Sequence, residues 1–311
     1  MLIENGSGIK QPTDKKYTFE GVALAAPFSF FRMPKSINMR VKLHQIGLIV
    51  LLITTLGSCT IQPAKKDVPP NFQPFFQEYG VEGCFLLYDL KNDLYQIYNS
   101  QRCEEGFLPA STFKILNSLI GLETGVITGE DMVIPWDGEI RSVEEWNKDH
   151  TLASAIQYSA VPYFQEIARR IGPERMKEYI DDSDFGRMDV SKETIDRFWL
   201  WGDSRITPWE QMNFLIHFYT NKLPFSIENV ELVKKLIILK QTDKWIFRGK
   251  TGMTVQDGKN VGWLVGYLEE NGHVWLYVCN VESGQENSPK FRESRRAIVE
   301  KVFRSMGLME E

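Results

Sequence analysis

Histidine and cysteine are scarce in this chain, four of each in 311 residues. That scarcity removes whole classes of chemistry. No H-x-H or H-E-x-x-H pair occurs, and His150, His217 and His273 are scattered. Neither a zinc hydrolase nor a triad built on a histidine–aspartate pair is therefore supported, and no metal is expected. Cys84, Cys103 and Cys279 lack metal-like spacing. In an exported protein three thiols leave at least one unpaired, and all three also fit as small core residues. Apolar runs are too short to span a bilayer comfortably. No basic stripe argues for nucleic acid, and there are no internal repeats.

The N-terminal stretch carries a targeting pattern. Met39-Arg40-Val41-Lys42 opens a short basic segment, Ile46 to Leu56 is an apolar run of signal-peptide length, and Leu56-Gly57-Ser58-Cys59 leads through small residues into a cysteine. Residues 39–58 read as a lipoprotein signal, with Cys59 as the lipidated residue that anchors the protein to a membrane facing the periplasm. The bland alternative is an ordinary signal peptide with an incidental cysteine. Residues 1–38 fit neither part and read as an upstream extension, with Met39 as the initiator. Residues 59–75, with Lys65, Lys66, Pro69 and Pro70, read as a tether. Residues 76–311 are enough for one large domain with a real core.

Periodicity gives a coarse architecture. Gly83 to Asp89 and Leu94 to Asn99 read as a hairpin around Lys91-Asn92-Asp93. Helical spacing follows at 112–121, 152–158, 163–171, 173–181, 208–219 and 227–239. Strands return at 245–250, 261–269 and 273–281, the last two joined by Asn271-Gly272, a strong hairpin signal. An amphipathic helix over 292–306 closes the chain. Strands from both ends with helices between predict a mixed α/β fold. It has one antiparallel sheet built from both termini, an inserted helical lobe, and a cleft where the two meet.

Ser111-Thr112-Phe113-Lys114 precedes an apolar helical run. A serine hydroxyl needs a base to become a nucleophile, and side chains at i and i+3 share one helix face. Ser111 and Lys114 are thus a candidate nucleophile and base. S-x-x-K alone is weak, because Ser7-Gly8-Ile9-Lys10 also fits it. Its company is more specific. Ser159-Ala160-Val161 lies where one helical pattern stops and another begins, so Ser159 is a cap or a proton relay. Lys250-Thr251-Gly252 ends the strand-like run from Trp245, with glycine leaving room for a ligand's backbone.

The ordered set S-x-x-K, S-x-V, K-T-G resembles the class D, or oxacillinase-type, serine β-lactamases of the penicillin-recognising superfamily. The resemblance spans about Gly83 to Gly307 and includes Leu87-Tyr88-Asp89-Leu90, Phe198-Trp199-Leu200 and Gly262-Trp263. It implies β-lactam hydrolysis through an acyl-enzyme on Ser111, with Ser159 passing a proton to the lactam nitrogen. Lys250, Thr251 and Gly252 would bind substrate, as would the Met253 backbone N–H as an oxyanion donor and Arg295 as the carboxylate anchor. Lys114 would be an N6-carboxylysine in a pocket of Phe113, Val161 and Trp199, requiring carbon dioxide or bicarbonate but no other cofactor. Expected partners are β-lactams and a membrane through Cys59; a homodimer stays open. The family usually has Tyr/Phe-Gly-Asn where this chain has Phe185-Gly186-Arg187, which puts turnover rate and substrate range in question. The alternative is a β-lactam sensor domain that is acylated without efficient turnover.

Overall fold

A computed structural model describes residues 71–284 and 289–310. The extension at 1–38, the signal at 39–58, Cys59 and the tether up to residue 70 lie outside the described residues. The rest of that tether is folded: Phe72 is buried and α1 (Gln73–Tyr79) begins directly after it.

Six strands form one antiparallel sheet in the order β2-β1-β6-β5-β4-β3. They are β1 (Glu82–Asp89), β2 (Leu94–Tyr98), β3 (Ile238–Gln241), β4 (Trp245–Gln256), β5 (Lys259–Glu270) and β6 (His273–Ser283). The first hairpin therefore joins the C-terminal strands, as the pattern predicts. Asn271 and Gly272 both have positive φ, 51° and 73°, the geometry that matches a two-residue turn to strand twist.

Period-two alternation gives the sheet two apolar faces. Phe85 and Leu87 of β1, with Tyr277 and Val281 of β6, pack against Phe76 of α1 and Ile298, Val302 and Phe303 of α8 (Pro289–Ser305). Leu86, Leu276 and Val278 face the other way, onto the helical lobe. That lobe holds α2 (Lys114–Glu123), α3 (Leu152–Gln157), α4 (Val161–Ile171), α5 (Pro173–Asp182), α6 (Pro208–Tyr219) and α7 (Ile227–Leu236). Among the described residues no helix is long and apolar enough to cross a membrane.

Three expectations fail in detail. The helix expected over 227–239 stops at Leu236, and Ile238–Gln241 instead pairs with β4 as an edge strand. Its apolar residues are read equally well by helix and strand periods. The strand expected to end at Lys250 runs to Gln256 and turns through Asp257 and Gly258, both at positive φ, so the K-T-G triplet is mid-strand. An Asp-Gly pair is a hairpin signal, and here it outweighs the polar run around it. The helix expected from Thr112 begins at Lys114, preceded by a 3₁₀ turn over Ala110–Phe113.

Candidate active site

The 3₁₀ turn is what brings the first two groups together. Its three residues per turn eclipse side chains at i and i+3, stacking Ser111 over Lys114 more closely than an α-turn would. Lys114 Nζ lies 2.7 Å from Ser111 Oγ in a hydrogen bond. The preceding Ala110 has φ +50°, unusual for a residue with a Cβ, and its N–H donates to Trp199 O at 2.8 Å. Local strain of this kind persists only where the surroundings enforce it. Two contacts do so. Thr112 Oγ1 donates to Pro109 O at 2.7 Å and accepts from buried Gln211 Nε2 of α6 at 2.8 Å.

Gly252 supplies the third restraint. A Cβ there would stand 3.0 Å from Pro109 O and 3.3 Å from Ala110 Cβ. Glycine is therefore favoured because the serine-bearing turn packs closely on β4, a cause different from the ligand clearance expected of it.

Ser159 sits between α3 and α4 with φ +53°, in the left-handed region like Ala110. Its Oγ accepts a hydrogen bond from Lys250 Nζ at 3.1 Å, and Lys250 also donates to Thr251 O at 3.1 Å. Ser111, Ser159, Val161, Thr251, Gly252, Met253 and Arg295 line one cleft of about 600 Å³. β3 pairs only with the start of β4, leaving the outer edge of Lys250–Gln256 without a strand neighbour among the described residues. Gly249 N–H donates outward to Ile237 O, so by the strand period the N–H groups of Thr251 and Met253 point to that same open edge. Arg295 reaches the cleft from α8 and donates through Nη1 to Gly252 O at 2.7 Å.

Charge is concentrated here in unusual form. Lys114 is fully buried, and burial holds its pKa well below the usual lysine value, with the nearby Lys250 charge pushing the same way. Burial lowers Lys250 to about 7, with a smaller contribution from Arg295. Arg295 itself is lowered to about 10, mainly by burial. Lysines whose pKa values are lowered in this way, beside two serine hydroxyls, accept protons more readily near neutrality than ordinary lysines do.

Around Lys114 the walls are aromatic. Its Nζ lies 5.3 Å from the Phe164 ring centroid. Phe113 stacks on Trp199 at 5.5 Å, and both are completely buried. Trp199 Nε1 is buried with no acceptor among the described residues. A buried donor without a partner is costly, so it marks a place where an acceptor fits.

Sequence reasoning missed Phe164, Gln211, Thr112, Trp146, Leu200 and Trp201. The last three line the cleft, and Trp201 is 53% exposed. Gln211 and Phe164 lie on helices whose apolar periodicity hides their neighbours, so no local signal pointed to them. The unusual Arg187 is exposed, lines a different cavity, and pairs through its backbone with Arg205. Gly186 before it has φ +66°, and a Cβ there would meet Arg205 O at 2.7 Å. Among the described residues, no group of three or more His, Cys, Asp or Glu could hold a metal ion.

A serine hydrogen-bonded to a buried amine, facing a second serine–lysine pair across a strand edge, is the arrangement of a serine acyl-transfer enzyme. Residues 83–305 match the penicillin-binding protein transpeptidase domain. The chain is 37% identical over 234 residues to β-lactamase OXA-48 of Klebsiella pneumoniae, covering 75% of this chain and 87% of that protein. The crystal structure of a class D β-lactamase YbXI from Nostoc superposes with a TM-score of 0.74 at 37% identity, covering 77% of this chain and 99% of that one. Regulatory protein BlaR1 of Bacillus licheniformis is 34% identical over 213 residues, 68% of this chain but only 35% of that protein. The chain belongs to the class D β-lactamase family.

Proposed function

We propose that the protein hydrolyses β-lactams through a Ser111 acyl-enzyme, with carboxylated Lys114 as the general base. The observation that carries the base assignment is the coincidence of three features: a buried amine of lowered pKa, its 2.7 Å contact with Ser111, and the unpartnered indole N–H of Trp199. Carbon dioxide bound to Lys114 as a carbamate supplies a carboxylate-like base. Trp199 Nε1 would hold it, and Phe113, Phe164 and Val161 would keep water from it.

The remaining steps belong to the chain's own groups. Ser111 Oγ attacks the lactam carbonyl. The backbone N–H groups of Ser111 and Met253 stabilise the oxyanion, each worth about 2.7–4 kcal/mol. Ser159, bonded to Lys250, gives a proton to the departing nitrogen. Arg295 and Lys250 hold the substrate carboxylate, with Thr251 hydrogen-bonding beside them.

Purified protein supplied with bicarbonate should hydrolyse nitrocefin over many turnovers. A single stoichiometric burst followed by a stable adduct would favour the sensor reading, which the partial match to BlaR1 keeps in view.

Export is a separate part of the proposal. With residues 39–58 as a lipoprotein signal, the mature chain begins at a lipidated Cys59 and residues 60–70 tether the domain to the membrane. Cys59→Ser should move the protein from the membrane fraction to the soluble one. Wild-type protein that fractionates as soluble, with an N-terminus elsewhere than Cys59, would defeat the anchor.

A further inference from the structure

Two of the buried thiols lie together for reasons written into the fold. Cys84 is on β1, in register with Asn280 of β6. Cys103 is in the 3₁₀ turn Arg102–Glu104 that follows β2. Two ties hold this turn against the sheet, and a third closes the turn on itself. Asn99 Nδ2 donates to Gly83 O at 2.9 Å. Cys103 N–H donates to Ser100 O at 3.1 Å, closing the turn back on the strand end. Arg102, next to Cys103, donates through Nε and Nη2 to Oδ1 of Asn280, the register partner of Cys84, at 3.0 and 2.9 Å. Both cysteines are completely buried in the core under the helical lobe, and the neighbouring Cys103 thiol, with burial, pushes the Cys84 pKa well above the ordinary cysteine value.

The third thiol is on the wrong side. Cys279 belongs to the opposite face of the sheet, with Tyr277, Val281 and the residues of α8. Strand alternation therefore separates it from the pair, and among the described cysteines only Cys84 and Cys103 can meet.

We propose that Cys84 and Cys103 close into a disulfide in the exported protein. The Sγ–Sγ bond forms as two S–H bonds break. The two electrons and two protons pass to a disulfide-bearing oxidant of the cell envelope, which is reduced to a dithiol. The reaction belongs to folding, because the finished core shields both sulfurs. The bond ties strand β1 to the segment that continues through Phe107 and Pro109 to Ser111, so it stiffens the approach to the serine-bearing turn. Closure in the cell rests on the export reading above; closure in a glutathione buffer does not.

The test is oxidative refolding of the full chain in reduced and oxidised glutathione. Alkylation, trypsin digestion and non-reducing mass spectrometry follow. The expected product is a linked pair of peptides 67–91 and 103–114, separated by reductant, with Cys279 alkylated. Reduction, Cys84→Ala and Cys103→Ala should each lower Tm by roughly 5–10 °C, and reductant should then have no further effect on the two variants. Cys279→Ala should retain the linked pair. Alkylation of both Cys84 and Cys103 after refolding, or a link that involves Cys279, would overturn the pairing. A link formed in vitro with free thiols in protein taken from cells would uphold the pairing and count against export.

Discussion

Ser111→Ala should lose β-lactam turnover on the order of a millionfold, the scale of removing a nucleophilic serine from a hydrolase. It should also lose the covalent adduct that intact-mass analysis shows after penicillin treatment of the wild type. The loss follows from geometry rather than from stability. Ser111 is only partly buried and its Oγ makes its one described hydrogen bond to Lys114, so the alanine variant should fold and keep its Tm within a few degrees. Water cannot replace the hydroxyl as nucleophile without giving up the covalent intermediate, because the strained turn at Ala110 aims a side chain, not a solvent molecule, into the cleft. Ser159→Ala should behave differently, slowing acylation while leaving the adduct detectable. An undiminished adduct in Ser111→Ala would move the nucleophile elsewhere, with Ser159 the next candidate.

The motifs were legible in the sequence because each is short and chemically constrained. S-x-x-K needs only one turn of helix, and the structure adds that a 3₁₀ turn makes the contact close. The two-ended sheet was legible because Asn271-Gly272 and the alternating strands around it carry a period-two signal. Three things were not. Mid-strand placement of Lys250-Thr251-Gly252 depends on which edge of β4 lacks a neighbour, a property of β3 being short and pairing only at Ile246–Arg248. The role of Gly252 depends on a turn more than a hundred residues earlier packing on its bare Cα. Gln211 matters through one buried hydrogen bond to Thr112, and long-range side-chain pairing leaves no local trace. The departure at Arg187 looked consequential by adjacency to a family motif. In space its side chain is exposed and lines a different cavity, so its position predicts little effect on the cleft's chemistry.

Lys114→Ala should be essentially inactive in turnover and should still label slowly with penicillin. A strained lactam ring can be opened by a weakly activated serine, whereas the acyl-enzyme needs a base to activate water, so deacylation bears most of the loss. In the wild type, turnover should depend on bicarbonate, and protein charged with labelled bicarbonate should give a carbamate signal in carbon-13 NMR. The sign of the pH dependence follows from the two lysines. An amine is neutral above its pKa and charged below it, and only neutral Lys114 can add carbon dioxide. Its pKa is held low by burial, so kcat should fall on acidification as Lys114 protonates. Lys250 gains its charge as pH drops through about 7, which should lower KM for an anionic substrate there. The two parameters should thus separate. Trp199→Phe keeps a ring against Phe113 and removes the indole donor. A hydrogen bond to a charged group is worth about 1.5–3 kcal/mol, so this variant should need roughly 10- to 100-fold more bicarbonate for half-maximal activity. Trp199→Ala should need more still, with a core-cavity cost of about 3–5 kcal/mol that complicates its reading. If no carbamate signal is found and turnover is indifferent to bicarbonate after degassing at acidic pH, Lys114 acts as a plain amine. The unpartnered Trp199 donor would then need another acceptor.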